Sequence, residues 1–254
     1  MNEMRVIVTA GASGIGLAIA QAFLGAGARV HIGDVDGASL SAALEDNPGL
    51  RGSVADVALA EDVDRLGDEA ITWMGGVDVL VNNAGIGGPR GPIEDVDPAE
   101  WHQVMRVNLG GIFHTARRFV PVMKQQRAGC IINISTTSVR TGLPLRTPYV
   151  VSKTGVMGFT LNLAREVGPY NIRCNAILPG SIENERGRRL LRERAERQGV
   201  SYEDALAQRL GYISMRSRIT PEEIGDTALF LASPAARHIS GQFLSVCGNV
   251  EWEE

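Results

Sequence analysis

The chain has 254 residues, 44% of them hydrophobic, with a formal net charge of −4 and four histidines. That supports a sizeable core in one α/β domain or two small ones, and it gives no global positive field for nucleic acid or an anionic membrane. No run reaches the roughly 18 apolar residues of a membrane span.

Met1–Met4 is short and polar, and an apolar strand follows at once, so no leader is read and a cytoplasmic protein is expected. Cys130, Cys174 and Cys247 each sit in an apolar, strand-like stretch without CxxC spacing. Buried free thiols of a reducing compartment fit them. His31, His102, His114 and His238 show no metal-ligand spacing, so no metal is expected.

Arg5–Thr9 reads as a buried parallel strand. It feeds Ala10-Gly-Ala-Ser-Gly-Ile-Gly16, and a helical pattern follows through Leu24, ending at Gly25-Ala-Gly27. A strand, a glycine-rich turn and a helix start form a phosphate cradle: glycines admit the pyrophosphate, and the helix N-terminus offers free N–H groups. An ordinary tight turn is the alternative. Arg29–Gly33 is a second strand, ending at Asp34. An acid there binds the two hydroxyls of an adenosine ribose and repels a 2′-phosphate. No Arg or Lys in the glycine loop or directly after Asp34 would welcome that phosphate. The competing reading of Asp34 is a helix cap, since Asp36 and Ser39 follow.

A helix over about 37–46, a strand over about 50–54 reaching Asp56-Val57, a helix over about 60–74 and a strand over 77–81 come next. The last runs into Asn82-Asn83-Ala84-Gly85. Alternating β and α units of this length give a doubly wound parallel sheet with helices on both faces. Ligands of such sheets bind outside the carboxyl ends of the strands, where the glycine turn, Asp34, Asp56 and Asn82 lie.

Gly87–Pro92, with Arg90, is the most loop-like segment. Asp97-Pro98 starts a helix or helix pair, interrupted by Asn108 among apolar neighbours. Cys130–Ile134 is the fifth strand, followed by Ser135-Thr136-Thr137-Ser138. Tyr149 begins a long helix, with apolar residues at Val151, Val156, Phe159 and Leu163. Lys153 lies four residues after Tyr149, so both share one helix face. A neighbouring cation favours a phenolate, which makes the pair a candidate general acid/base; alone, it is also a common surface pair.

Asn171–Leu178 is the sixth strand, closed by Pro179-Gly180. Residues 183–218 read as a helical insertion, a lid. Glu183–Arg197 holds six arginines against four glutamates, and Arg189/Glu193, Arg192/Glu196 and Glu193/Arg197 have i,i+4 spacing, which describes a solvated helix. Thr220-Pro-Glu-Glu223 is a capping-box start, and Gln242–Val246 is the seventh strand. With no repeat, linker or low-complexity segment, residues 1–254 read as one dinucleotide-binding domain with a lid at about 183–218.

Together these motifs resemble the short-chain dehydrogenase/reductase family in its shorter form, from Val6 to about Asn249. Thr9–Gly16 is similar to its TGxxxGIG turn, Asn82–Gly85 to its NNAG motif, and Asn175 with Pro179-Gly180 to its segment near the nicotinamide. The resemblance implies a Rossmann-like fold and a secondary alcohol–ketone oxidoreductase. Asn108, Thr136, Tyr149 and Lys153 match the catalytic positions. It implies NAD held by Gly11, Ser13, Gly14, Ile15, Gly16, Asp34, Asp56, Val57, Asn83, Ala84, Gly85, Tyr149, Lys153, Pro179, Gly180, Ile182 and Asn184. It also suggests a homotetramer or homodimer, with the Asn108 and Tyr149 helices in one interface.

Four departures stand out. Ala10 replaces the first glycine, a methyl the turn tolerates at negative φ. Thr136 stands where the family has serine, thirteen residues before Tyr149, with Ser135 and Ser138 as competitors. Asn184 replaces a threonine, and Cys247-Gly248-Asn249 replaces an Asp-Gly-Gly. Ser138, Arg140 and Arg146, between Thr136 and Tyr149, and Arg90 border the pocket in the family. Arginine binds carboxylate, sulfonate or phosphate in bidentate fashion, so an anionic or polyhydroxylated alcohol is expected. Alternatives are a ketoreductase for acyl or neutral carbonyl substrates and an inactive nicotinamide-binding protein.

Overall fold

The computed structural model describes residues 4–250; the ends of the expected 1–254 unit lie outside them. Seven strands form one sheet: β1 (Arg5–Thr9), β2 (Arg29–Asp34), β3 (Leu50–Val54), β4 (Val79–Asn82), β5 (Gly129–Ile134), β6 (Ile172–Pro179) and β7 (Phe243–Val246). Their order is β3-β2-β1-β4-β5-β6-β7, and every pair is parallel. The winding reverses between β1 and β4, so the crevice of this sheet opens there.

The strands are apolar because both faces are covered. Val6 and Val8 pack into one core with Val79, Val81, Ile132 and Phe23; Ile7, Leu80 and Ile131 face a second core with Phe119 and Met123. The first is closed by α1 (Gly14–Gly25), α2 (Gly37–Asp46) and α10 (Pro221–Ala232). The second is closed by α3 (Ala60–Met74), α5 (Gly111–Gln126) and α7 (Thr147–Val167). Local signals place the helix ends. Asp97 caps α4 (Pro98–Met105), which has proline in its first turn, and α10 begins with the Thr220/Glu223 capping box.

One buried polar ladder crosses the second core. The Thr115 hydroxyl donates to Asn82 Oδ1 (2.7 Å), Asn82 Nδ2 to Asn133 Oδ1 (2.8 Å), and Asn133 Nδ2 to Thr160 Oγ1 (2.8 Å). It ties α5, β4, β5 and α7 together behind the site, and every bridging amide in it is partnered.

Several expectations are corrected. β4 covers 79–82 rather than 77–81, because Val77 lies ahead of the ladder and instead bonds Gln126. α7 begins at Thr147, with Pro148 in its first turn, so Tyr149 is already inside it. The lid is two helices, α8 (Glu185–Gln198) and α9 (Tyr202–Gly211), and its remainder is not helical. Cys130 and Cys174 are buried, whereas Cys247 lies past β7 and is only half-buried. No described helix is long and apolar enough to cross a membrane.

Candidate active site

The glycine turn joins β1 to α1. Ala10 has φ +49 and Gly14 φ +53, so the expectation of a negative φ at Ala10 fails: an alanine occupies a left-handed position. Gly16 has no room for a side chain, since a Cβ there would collide with the Ala10 carbonyl and the Asn83 amide. No side chain caps α1, no acid lies in its first turn, and Ser13 and Gly14 are exposed. An uncapped N-terminus with exposed N–H groups fits an anion.

Asp34 is buried at the end of β2. Its carboxylate accepts from the Ala12 and Asp36 backbone N–H groups, each at 3.1 Å. It does not cap α2; Asp36 does, accepting from Ala38 and Ser39. Val35 and Val54 are exposed beside it, 66% and 50% accessible, an apolar pair the strand pattern did not flag. Asp56 accepts from Ala58 N–H (2.9 Å). Val57 is buried, and its carbonyl meets His114 Nδ1 at 2.9 Å, leaving only backbone at this edge.

Asn83 is a staple. Its Nδ2 donates to the Thr9 and Ala10 carbonyls (3.2 and 3.0 Å), while Asn83 and Ala84 N–H both donate to Thr9 Oγ1 (3.0 and 3.1 Å). These bonds hold the end of β4 against the glycine turn. A Cβ at Gly85 would lie 3.0 Å from Lys153 Nζ and 3.2 Å from Asn108 Oδ1, so a bare backbone lets both approach.

Asn108 lies in a π turn over Arg106–Gly110 between α4 and α5 and is fully buried. Its Oδ1 accepts from Ile86 N–H (2.8 Å), and its Nδ2 donates to the Ile86 carbonyl (3.0 Å) and Ser152 Oγ (2.8 Å). Both amide donors are used, and Oδ1 keeps a second acceptor site. π turns concentrate at functional sites.

Lys153 is buried and donates to the Ile134 carbonyl at 2.8 Å, at the carboxyl end of β5. Burial pulls its pKa down to about 8. Tyr149 is half-buried one turn earlier on α7, with the Arg146 guanidinium 5.7 Å from its ring centre. Of the candidate hydroxyls, Ser135 is committed to the Lys153 carbonyl (2.9 Å) and Thr137 to the Pro179 carbonyl (3.3 Å). Thr136 and Ser138 remain, their oxygens 3.3 Å apart. The structure removes Ser135 from the contest.

The outlying residues divide. Arg146 donates to the Gly87 carbonyl (2.8 Å) and Leu145 accepts from Gly91 N–H (3.0 Å), lacing the loop of Arg90 to the start of α7. Arg90 is exposed. Arg140, on the short α6 (Ser138–Thr141), donates to the Phe243 carbonyl (3.2 Å) and so engages β7. Beyond β6, Gly180 N–H bonds the Val246 carbonyl (2.9 Å), Ile182 pairs with Ile219, and Asn184 caps α8 through Gly187 N–H (2.7 Å). The expected lid ladder is corrected too: Arg189 meets Glu193 (3.8 Å), but Arg192 reaches back to Glu185 (3.3 Å). No group of three described His, Cys, Asp or Glu residues could hold a metal.

The sequence profile described as "Enoyl-(Acyl carrier protein) reductase" matches residues 9–249. The D-beta-hydroxybutyrate dehydrogenase of Cupriavidus necator is 34% identical over 254 residues, spanning 98% of each chain. The chain belongs to the short-chain dehydrogenase/reductase family. Among solved structures, an actinorhodin polyketide ketoreductase with NADPH is similar, with TM-score 0.92 and 29% identity over 98% of each chain. A xylitol dehydrogenase with NAD+ has TM-score 0.89 and 28% identity, covering 96% of this chain and 97% of its own. This short-chain dehydrogenase/reductase is an oxidoreductase of alcohols and ketones that uses a nicotinamide cofactor.

Proposed function

We propose an NAD(H)-dependent oxidoreductase that interconverts a secondary alcohol and a ketone, with Tyr149 as general acid/base. The observation that carries this reading is buried Lys153 pinned to the end of β5, where Thr136 and Ser138 follow, with Tyr149 one turn earlier on the same helix. When bound, NAD supplies or accepts the hydride. Gly11, Ser13, Gly14, Ile15 and Gly16 would hold its pyrophosphate on the open end of α1. Asp34 would hold the adenosine ribose, with Asp56 and the Val57 backbone nearby. Asn83, Ala84 and Gly85, then Pro179, Gly180, Ile182 and Asn184, would border the nicotinamide end. Asn83 acts through the turn it staples, and the Asn184 amide keeps a donor free of its cap.

Tyr149 takes the alcohol proton in oxidation and returns it in reduction. Lys153 favours the phenolate by its charge and holds the nicotinamide ribose. Thr136 donates to the substrate oxygen. Asn108 would hold a water linked to Lys153, through its backbone or the second lone pair of Oδ1. Tyr149→Phe is expected to abolish turnover while NADH binding, read by fluorescence, survives; wild-type turnover in that variant would remove the mechanism. Asp34 would repel a 2′-phosphate, so NAD is preferred. Asp34→Ala should lose most of the NAD/NADP ratio in kcat/KM, and a wild type that prefers NADP would reverse the assignment.

The arginines around the pocket support an anionic or polyhydroxylated substrate. Reduction of an acyl or neutral carbonyl is the alternative, favoured by the likeness to a polyketide ketoreductase. Phe113 on α5 is 54% exposed and lines a groove with Val120, Phe159 and Leu163, and Val151 and Leu161 on α7 are 43% and 52% exposed. Such a patch supports a homotetramer or homodimer built on these helices. Phe113→Glu should dissociate it in light scattering, and an unchanged mass would place the interface elsewhere. Free, largely buried thiols fit a cytoplasmic site of action.

A further inference from the structure

The lid sorts its arginines. On its outer side, Glu183 meets Arg188 (3.8 Å), Glu185 meets Arg188 (3.2 Å) and Arg192 (3.3 Å), and Arg189 meets Glu193 (3.8 Å). The inner seam is different. Leu191, Ala195 and Ala205 form the small core between α8 and α9. Arg194 lies three residues after Leu191 and Arg209 four after Ala205, so both belong to the seam-facing sides of their helices. Arg209 is half-buried and makes no hydrogen bond or ion pair with any described residue. Its strongest electrostatic neighbours besides Tyr212 are two further cations, Arg194 and Arg218; burial first, then these charges, lower its pKa.

Arg218 closes the cluster. Its side chain is 6% exposed and pairs with Glu183 at 3.1 Å. Its neighbour Ile219 donates to the Ser181 carbonyl (3.0 Å) and accepts from Glu183 N–H (2.7 Å). Arg218 therefore lies beside the segment that leaves Pro179-Gly180, beyond the carboxyl end of β6, the edge of the sheet where ligands bind. Arg218 shares Glu183 with Arg188, Arg194 Nε donates to the neutral Gln198 amide (3.4 Å), and Arg209 has no carboxylate partner among the described residues. Cations withdrawn from water without a partner are costly, and an anion removes the cost.

We propose that Arg194, Arg209 and Arg218 form an anion site on the inner face of the lid that holds a carboxylate, sulfonate or phosphate group of the substrate. This rests on the dehydrogenase reading above and moves the specificity determinants from Arg140 and Arg146, which are engaged with backbone carbonyls, to the lid.

The full chain is titrated, with NADH present, with acetate, methanesulfonate and inorganic phosphate, each against sodium chloride at equal ionic strength. Unfolding temperature and NADH fluorescence are both read, in wild type, Arg209→Gln, Arg194→Gln and the exposed control Arg197→Gln. At least one anion should raise the unfolding temperature beyond chloride in wild type and control, and the tightest names the group. Its Kd should weaken about tenfold or more in Arg209→Gln and Arg194→Gln, the loss of a charge-assisted hydrogen bond. No anion-specific effect in wild type, or an equal effect in Arg209→Gln, overturns the site. Displacement of NADH by the anion would put it on the pyrophosphate cradle and overturn the substrate assignment. Failure of NADH to bind at all, with the Arg209-dependent shift intact, sinks the dehydrogenase reading and leaves the anion site standing.

Discussion

Lys153 Nζ donates to the Ile134 carbonyl at 2.8 Å, which pins the lysine to the last residue of β5. The strand that leads into Ser135-Thr136 and the helix that carries Tyr149 are thus registered by one buried cation. Ser135 fastens the same joint from the other side, donating to the Lys153 carbonyl at 2.9 Å.

That placement has a stability cost with a defined pH window. Burial holds the folded pKa of Lys153 at about 8, below its ordinary 10.5. Below pH 8 both states are protonated and the fold carries the whole penalty, at most about 3 kcal/mol. As pH rises from 8 to 10.5, the folded state loses its proton first and the penalty fades. Lys153→Met should therefore unfold at a higher temperature than wild type at pH 7, by an amount reduced by the lost bond to Ile134. The difference should shrink above pH 8. A Met variant less stable at every pH would show that the hydrogen bond outweighs the buried charge.

The two remaining hydroxyls are separable by kinetics. Thr136→Ala should lower kcat/KM about a hundredfold, the effect of losing a donor to the reacting oxygen. Thr136→Ser should keep most of the activity, because the serine retains that donor. Ser138→Ala should cost about tenfold or less, since its oxygen meets Thr136 rather than standing alone. The reverse order would give Ser138 the catalytic role.

Ala10 is strained at φ +49. A left-handed alanine costs about 1–2 kcal/mol, part of which glycine would return as unfolded-state entropy. Ala10→Gly should raise stability by up to about 1 kcal/mol, or about 2–4 °C for a chain this long. Thermal unfolding decides it, and a lowered midpoint would mean that the methyl packs favourably.

His31 sets an acid limit. It is buried on β2, with Nε2 2.7 Å from Ser53 Oγ, and Ser53 in turn donates to Glu69. Nδ1 has no partner. Burial lowers its pKa from 6.5 to about 4, with Arg51 helping and Glu69 opposing. Between those values the unfolded chain binds the proton and the fold does not. Stability is complete above pH 6.5 and falls as pH drops towards 4, by at most about 3 kcal/mol. His31→Asn should flatten urea-unfolding free energy across that window; an unchanged slope would assign the acid loss to carboxylates.

Much of the protein follows from the sequence because the signals are local. β-branched runs buried on both faces make strands whatever lies beside them, and Asp97-Pro98 and Thr220–Glu223 start helices by satisfying their own N–H groups. The same holds for the four-residue step from Tyr149 to Lys153, since any helix puts them on one face. What required the tertiary structure is who meets whom across the chain. Ser135 and Thr136 are adjacent and alike in chemistry; only the approach of α7 commits one to the Lys153 carbonyl, while the other bonds Ser138. Asn108 reads as a polar interruption, and its hydrogen bonds come from Ile86 and Ser152 in distant segments. The lid shows the limit most clearly: its i,i+4 pattern describes a solvated helix, yet packing α8 on α9 and threading Arg218 beside Glu183 leaves Arg209 half-buried without a counterion. Periodicity is a property of one helix, whereas the balance of buried charge belongs to the assembled fold.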